Sequence, residues 1–255
     1  MRLIAVASGK GGVGRTTIVA NLGIALAELG KSTIIVDAGL TTPDLALLFK
    51  LEKSVYTIND ALAGEISFSE VLYTGPKGVK IAPAAVSLDQ MRNAKPEYLP
   101  GLMRTVPEGT DFVIMDAPSG LRRETTAALR ASREVLLITI PDMVSVSDCM
   151  KTRLISEFLG LSLIGIVLNR VRGEEFEINA DEIESILNVP VIAQIPEDEN
   201  VNRALNRGVP LMVLKPKSRA AMGIKELAKK LIKTKRGESR SSSKGESHVR
   251  DVKKS

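Results

Sequence analysis

Short apolar runs alternate with helix-period stripes along residues 1–234. Runs of strand length occur at Leu3–Ala7, Thr33–Val36, Val79–Ala82, Phe112–Met115, Val135–Ile140, Leu163–Leu168, Val191–Ile195 and Leu211–Val213. They are continuously apolar rather than alternating, the pattern of strands buried on both faces of a parallel sheet. Between most of them, apolar residues recur at i, i+3, i+4 and i+7. Ile18, Leu22, Ala25, Leu26 and Leu29 form one stripe, with Gly30 as its C-terminal stop. Leu154, Ile155, Phe158 and Leu159 form another, ended by Gly160. Ile224, Leu227, Ala228, Leu231 and Ile232 give a last helix an apolar face, expected to dock on the sheet rather than enter a membrane. Repeated strand–helix–strand order predicts a three-layer α/β fold with a mostly parallel, twisted sheet. No internal repeat or Pro/Ser-rich linker interrupts residues 1–234, which read as one domain.

Residues 235–255 break this pattern. They hold seven Lys or Arg against three Asp or Glu, many Ser, and only Val249 and Val252 as apolar residues. Such a segment cannot bury enough surface to offset its ordering entropy, so it is expected to be a disordered, basic, Ser-rich tail. It carries most of the formal net charge of +5. It reads either as a solubilising end or as a weak tether to anionic lipid or nucleic acid.

Composition narrows the chemistry. The chain has 255 residues, 44% of them apolar, enough for a substantial core. Aromatics are 3% and Trp is absent, which disfavours a base-stacking platform for single strands. Cys149 and His248 are each the sole residue of their type. A disulfide framework, a Cys-rich metal site and a His-dependent triad are thereby excluded. Cys149 reads as a small buried residue rather than a reactive thiol. No apolar stretch is long enough to span a bilayer, and the N-terminus lacks a signal-peptide pattern. A cytoplasmic protein is expected, with peripheral membrane contact through the tail left open.

Candidate chemistry concentrates in Ser8-Gly9-Lys10-Gly11-Gly12-Val13-Gly14-Arg15-Thr16-Thr17, between the first strand and the first helix. Glycines let backbone N–H groups approach a phosphate chain, and the following helix points its positive end there. Gly9 and Gly14 fit G-x-x-x-x-G-K-[ST], but Arg15 stands at the Lys position.

This stretch resembles the deviant Walker A motif of the MinD/ParA ATPases, K-G-G-x-x-K-[ST], and the resemblance extends over about residues 2–232. Val36-Asp37-Ala38-Gly39 sits where that family has V-D-x-D, and Asp116-Ala117-Pro118-Ser119-Gly120 is similar to its D-[AS]-P-[AS]-G switch. Leu168-Asn169-Arg170 and Ile195-Pro196-Glu197-Asp198 resemble its adenine-contacting segments. The resemblance implies a P-loop NTPase fold of MinD type and ATP with Mg²⁺ as cofactors. Lys10 would reach the phosphates of a dimer partner. Gly9, Gly11, Gly12, Val13 and Gly14 would form the phosphate loop, Arg15 would stand in for its lysine, and Thr17 would contact the α-phosphate. Thr16, Asp37 and Asp116 would hold the metal directly or through water. Asn169, Arg170, Pro196 and Glu197 would border the base. An Asp at a strand end also caps helices in any fold, and that reading stays open for Asp37 and Asp116. Asp142 and Asp148 are either dimer-face partners of Lys10 or caps.

Two departures bear on activity. Arg15 is longer, planar and forked where a compact ammonium is usual. Gly39 replaces the aspartate that positions the attacking water, with Asp44 five residues on. Arg122 follows the switch where MinD proteins commonly carry Glu. The leading expectation is an ATP-dependent switch, homodimeric or paired with a related ATPase, hydrolysing slowly to direct a partner or surface as in cell division. The alternatives are a non-hydrolysing interaction module and ParA-like nucleic-acid association through the tail.

Overall fold

The structure, a computed structural model, describes residues 1–41, 43–120 and 122–234. The expected tail at 235–255, with the lipid and nucleic-acid readings that depend on it, lies outside the described residues. Eight strands form one sheet: β1 Arg2–Ala7, β2 Thr33–Asp37, β3 Tyr73–Thr74, β4 Lys80–Ala82, β5 Phe112–Asp116, β6 Glu134–Thr139, β7 Ser162–Val171 and β8 Val191–Pro196. Their order is β3-β4-β2-β5-β1-β6-β7-β8, and every neighbouring pair is parallel except β3 with β4. The helices are α1 Arg15–Glu28, α2 Asp44–Leu48, α3 Ile58–Ala63, α4 Leu88–Asn93, α5 Leu99–Leu102, α6 Arg123–Ala131, α7 Met143–Phe158, α8 Ala180–Leu187, α9 Glu199–Asn206, α10 Leu211–Leu214 and α11 Arg219–Lys233.

Successive strand residues face opposite sides, so each strand feeds two cores. Leu3, Ala5 and Ala7 pack with residues of α3, α6, α7 and α8, whereas Ile4 and Val6 pack with α1, α10 and α11. This is the expected three-layer arrangement: a parallel sheet covered on both faces. The last helix docks as its stripe requires, with Ile224, Leu227, Ala228 and Leu231 buried.

Two expectations from the pattern need correction. Leu211–Val213 is helical, not a strand, and begins α10 directly after Pro210, whose φ of −57° suits a helix start. Three apolar residues are too few for periodicity to separate strand from helix. The buried Asn21 decides the matter locally, because its Oδ1 accepts the Met212 N–H at 2.8 Å and ties α10 to α1. In α7 only half of the apolar stripe packs: Ile155 and Leu159 lie partly buried against the core, whereas Leu154 is 52% and Phe158 89% exposed. The helix instead buries Ser145, Val146, Cys149, Thr152 and Ser156. Small side chains allow α7 to lie close to the sheet and to the loop after β1. Strand β3, two residues long, has no apolar run to betray it.

Candidate functional site

The loop from Ser8 to Gly14 leaves the C-terminal end of β1, a central strand. Gly12 and Gly14 adopt φ of 82° and 89°, a left-handed region that favours glycine. Gly14 is the N-cap of α1, which has no side-chain cap and no acidic residue in its first turn. The unsatisfied N–H groups and positive end of a long helix therefore face the loop without internal compensation. Behind the loop, the Asn169 side-chain N–H donates to the Val13 carbonyl at 2.8 Å.

Register brings the acids together. Asp37 and Asp116 are Cα partners at the ends of β2 and β5. Thr16 Oγ1 donates to Asp116 Oδ2 at 2.6 Å. Arg15 Nε donates to Asp116 Oδ1 at 2.5 Å, and its Nη1 to Ser8 Oγ at 3.3 Å. Arg15 therefore does not swing into solvent: its side chain is 13% exposed and occupied with a carboxylate. Both oxygens of Asp116 are engaged.

Asp37 is buried, its oxygens accepting the N–H groups of Gly39 at 3.0 Å and Leu45 at 3.4 Å. Burial and then the nearby Asp116 charge push its carboxyl well above the ordinary range, against the pull of those two N–H donors. Asp44, at the start of α2, is also raised by burial and Asp116, with Arg15 acting in the opposite direction. A raised pKa in the folded chain means that ionising Asp37 costs stability. The cost is absent below the ordinary carboxylate range and appears as pH rises through the raised value. We therefore expect Asp37→Asn to be more stable than the parent near pH 7 by on the order of 1 kcal/mol. Urea denaturation across pH should show the gap closing as pH falls toward about 4.

A cavity of about 540 Å³ is walled by Ser8, Gly11 to Thr17, Asp44, Ser119, Arg122 and Arg170. A narrower cleft of about 100 Å³ shares Gly14, Thr17, Arg170 and Leu205 with it and is bordered by Asn169, Pro196, Glu197, Val201 and Ile224. The bulge at Asn169/Val171 and a φ of 58° turn Arg170 out of β7. Glu197 pairs with Arg172, whose hydrogen bond holds the Glu197 carboxyl below its usual range. The donor set fits a hard cation carried on a phosphate chain. Among the described residues no three Asp, Glu, His or Cys side chains form an all-protein cage. A Mg²⁺ ion takes one or two carboxylates and completes its shell with phosphate oxygens and water; Thr16 on the cavity wall, Asp116 bonded to it and Asp37 paired with Asp116 are hard-oxygen groups of that kind.

Other sequence candidates divide clearly. Lys10 is exposed, outside the cavity wall. Asp142 is the N-cap of α7, accepting the Ser145 N–H at 2.8 Å, and Asp148 pairs with Lys151 at 2.9 Å. Cys149 is fully buried and its thiol is pushed up to about 12, as expected of an inert core residue. Residues not singled out by motif also line the site. Ser8 orients Arg15, while Val201, Leu205 and Ile224 wall the cleft from helices distant in sequence. The apolar stripe of α11 marked Ile224 only as core, and no motif pointed to Val201 or Leu205.

Comparison with known proteins gives a consistent result. Residues 4–211 match the model of the CobQ/CobB/MinD/ParA nucleotide binding domain. An uncharacterized ATP-binding protein of Methanocaldococcus jannaschii is 42% identical over 229 residues, covering 90% of this chain and 87% of that one. The septum site-determining protein MinD of Synechocystis is 31% identical over 236 residues, 90% of this chain and 89% of that protein. The structure of septum site-determining protein MinD complexed with Mg-ADP from Pyrococcus horikoshii superposes with a TM-score of 0.87 at 33% identity, covering 91% and 96% of the two chains. The fold is that of the MinD P-loop NTPases, and the chain belongs to the CobQ/CobB/MinD/ParA nucleotide-binding domain family.

Proposed function

We propose that this chain is a nucleotide-dependent switch that binds ATP with Mg²⁺, dimerises on it and hydrolyses it slowly. The observation that carries this reading is a cavity walled by the Gly11–Thr17 backbone, with Thr16 on its wall hydrogen-bonded to Asp116 and Asp116 paired in register with Asp37. The Mg-ADP found in the Pyrococcus MinD relative supports it. In this reading the N–H groups from Gly11 to Thr17 cradle the phosphates, and Asn169, Arg170, Pro196 and Glu197 border the base. Thr16, Asp37 and Asp116 would hold Mg²⁺ directly or through water, and the ion would supply neutralisation of the phosphate charge. Arg15 exchanges Asp116 for a phosphate oxygen, keeping its charge paired throughout. Asp44 orients the attacking water in place of the missing acid at Gly39, since it lies on the cavity wall.

Lys10, exposed at the mouth, reaches the phosphates of a second copy. Light scattering of the full chain is expected to show dimer with Mg-ATP and monomer with Mg-ADP. Lys10→Ala should remain monomeric while still binding nucleotide. A parent chain that stays monomeric in saturating Mg-ATP would refute the dimer. The output of such a switch is a changed affinity for a partner protein or surface, as in positioning a division site.

The Arg15–Asp116 pair and Gly39 favour one second reading, a non-hydrolysing module that pairs with an active relative. Sustained phosphate release by the purified chain would eliminate it.

A further inference from the structure

A groove of about 420 Å³ lies between α6 and the turn leading into α5. Its apolar surface is Pro96, Pro100 and Ala127, and its cations are Arg122, Arg123 and Arg130. Arg123, Thr126, Ala127 and Arg130 follow i, i+3, i+4 and i+7, so α6 presents them on one face. The acid lining the groove is Glu97, whose contact with Arg123 is loose at 3.5 Å with both side chains largely exposed, 82% and 53%. Three guanidinium groups thus face one carboxylate, beside an apolar strip.

We propose that this groove binds an acidic segment of a partner protein. Arg123 and Arg130 are seven residues apart on α6, so about 10 Å separates their Cα atoms. On a polyproline-II segment, with three residues per turn, carboxylates three residues apart share one face and lie about 9 Å apart, and guanidinium forks take carboxylates bidentately. The two residues between those carboxylates flank that face and meet the strip of Pro96, Pro100 and Ala127, so the segment pairs two acids with apolar side chains. No aromatic ring lines the groove for base stacking, which favours a peptide over a single nucleic-acid strand.

Arg122 lines both this groove and the phosphate-loop cavity. Peptide and nucleotide therefore act on one side chain, and their affinities are coupled in both directions. This coupling rests on the nucleotide reading; the groove itself does not.

The test is fluorescence anisotropy of the full chain with a labelled peptide bearing two glutamates three residues apart around two leucines. We expect saturable binding that weakens about tenfold or more when both glutamates become glutamines. Arg123→Ala with Arg130→Ala should weaken it by a similar factor without changing Mg-ADP affinity. As a gain-of-function control, Arg123→Glu with Arg130→Glu should bind the lysine version of the peptide instead. Equal binding of the glutamine peptide would overturn the proposal. So would parent-like binding by the alanine pair, or competition by an oligothymidine of equal charge at equal affinity. Mg-ADP should change peptide affinity about threefold or more in the parent chain and leave it unchanged in Arg122→Ala. Peptide binding that ignores Mg-ADP would overturn the role of Arg122, while peptide binding without nucleotide tests the groove separately from the nucleotide site.

Discussion

An Asp44→Asn variant is expected to release phosphate from ATP on the order of 10²-fold more slowly than the parent, with Mg-ADP affinity within about threefold. Phosphoryl transfer depends mainly on positioning and electrostatics rather than covalent chemistry by the protein. The usual water-positioning acid has no counterpart at the buried Gly39, whose N–H is instead bound to Asp37. Asp44 lies on the cavity wall, and burial together with the Asp116 charge raises its pKa from the ordinary carboxylate range. Single-turnover phosphate release separates this effect from binding. Arg15→Lys is the informative companion, because lysine has no Nε–H with which to hold Asp116. That variant should turn over faster than the parent, and Asp44→Asn should remove the gain. Equal rates for Asp44→Asn and the parent would show that the carboxylate plays no part.

A Gly9→Ala variant should lose nucleotide binding by about 10²-fold or more and lose about 3 kcal/mol of stability. A Cβ at Gly9 would stand 2.0 Å from the Asp148 carbonyl oxygen and 2.6 Å from the Cys149 nitrogen. Those atoms are backbone in the middle of α7, so no side-chain rotation relieves the overlap. Either α7 leaves the sheet or the loop leaves the phosphate site. Gly12→Ala is the control: its φ of 82° carries a left-handed penalty of about 1–2 kcal/mol, but nothing lies within 4 Å of the added atom. Thermal denaturation should therefore rank the two variants clearly, with Gly9→Ala the lower. Indistinguishable melting would mean that α7 does not constrain the loop.

Much of this architecture was legible in the residues because central parallel strands are apolar on both faces. Ile4 and Ala5 point to different cores, yet neither can be polar. The apolar signal failed where packing depends on small residues rather than large ones. The buried residues of α7 include Ser145, Thr152 and Ser156, which hydropathy reads as solvent-facing, while Phe158 is 89% exposed. It failed again at Leu211, where a three-residue run following a proline became helix.

The site was legible as a list but not as a geometry. Glycine spacing located the loop, and strand-end acids located Asp37 and Asp116. Nothing in the spacing placed Arg15 on Asp116, because that contact joins residues 101 apart through the pairing of β1 with β5. The same is true of the cleft wall, where Leu205 and Ile224 meet Gly14 only because α9 and α11 return to α1. Asp142 and Asp148 also had two readings in sequence. The Ser145 N–H on Asp142 and the Lys151 ammonium on Asp148 make both local partners within α7.

Binding of a nucleotide phosphate chain by the backbone from Gly9 to Thr17, with Asp116 behind it and in spite of Arg15, is the proposal on which the switch reading depends. Isothermal titration of the full chain with ADP in the presence of Mg²⁺ tests it most directly. We expect one saturable site per chain with Kd on the order of 1–100 μM, weakened about tenfold or more by Asp116→Ala. No heat of binding at millimolar nucleotide, or an affinity that Asp116→Ala leaves untouched, would contradict it.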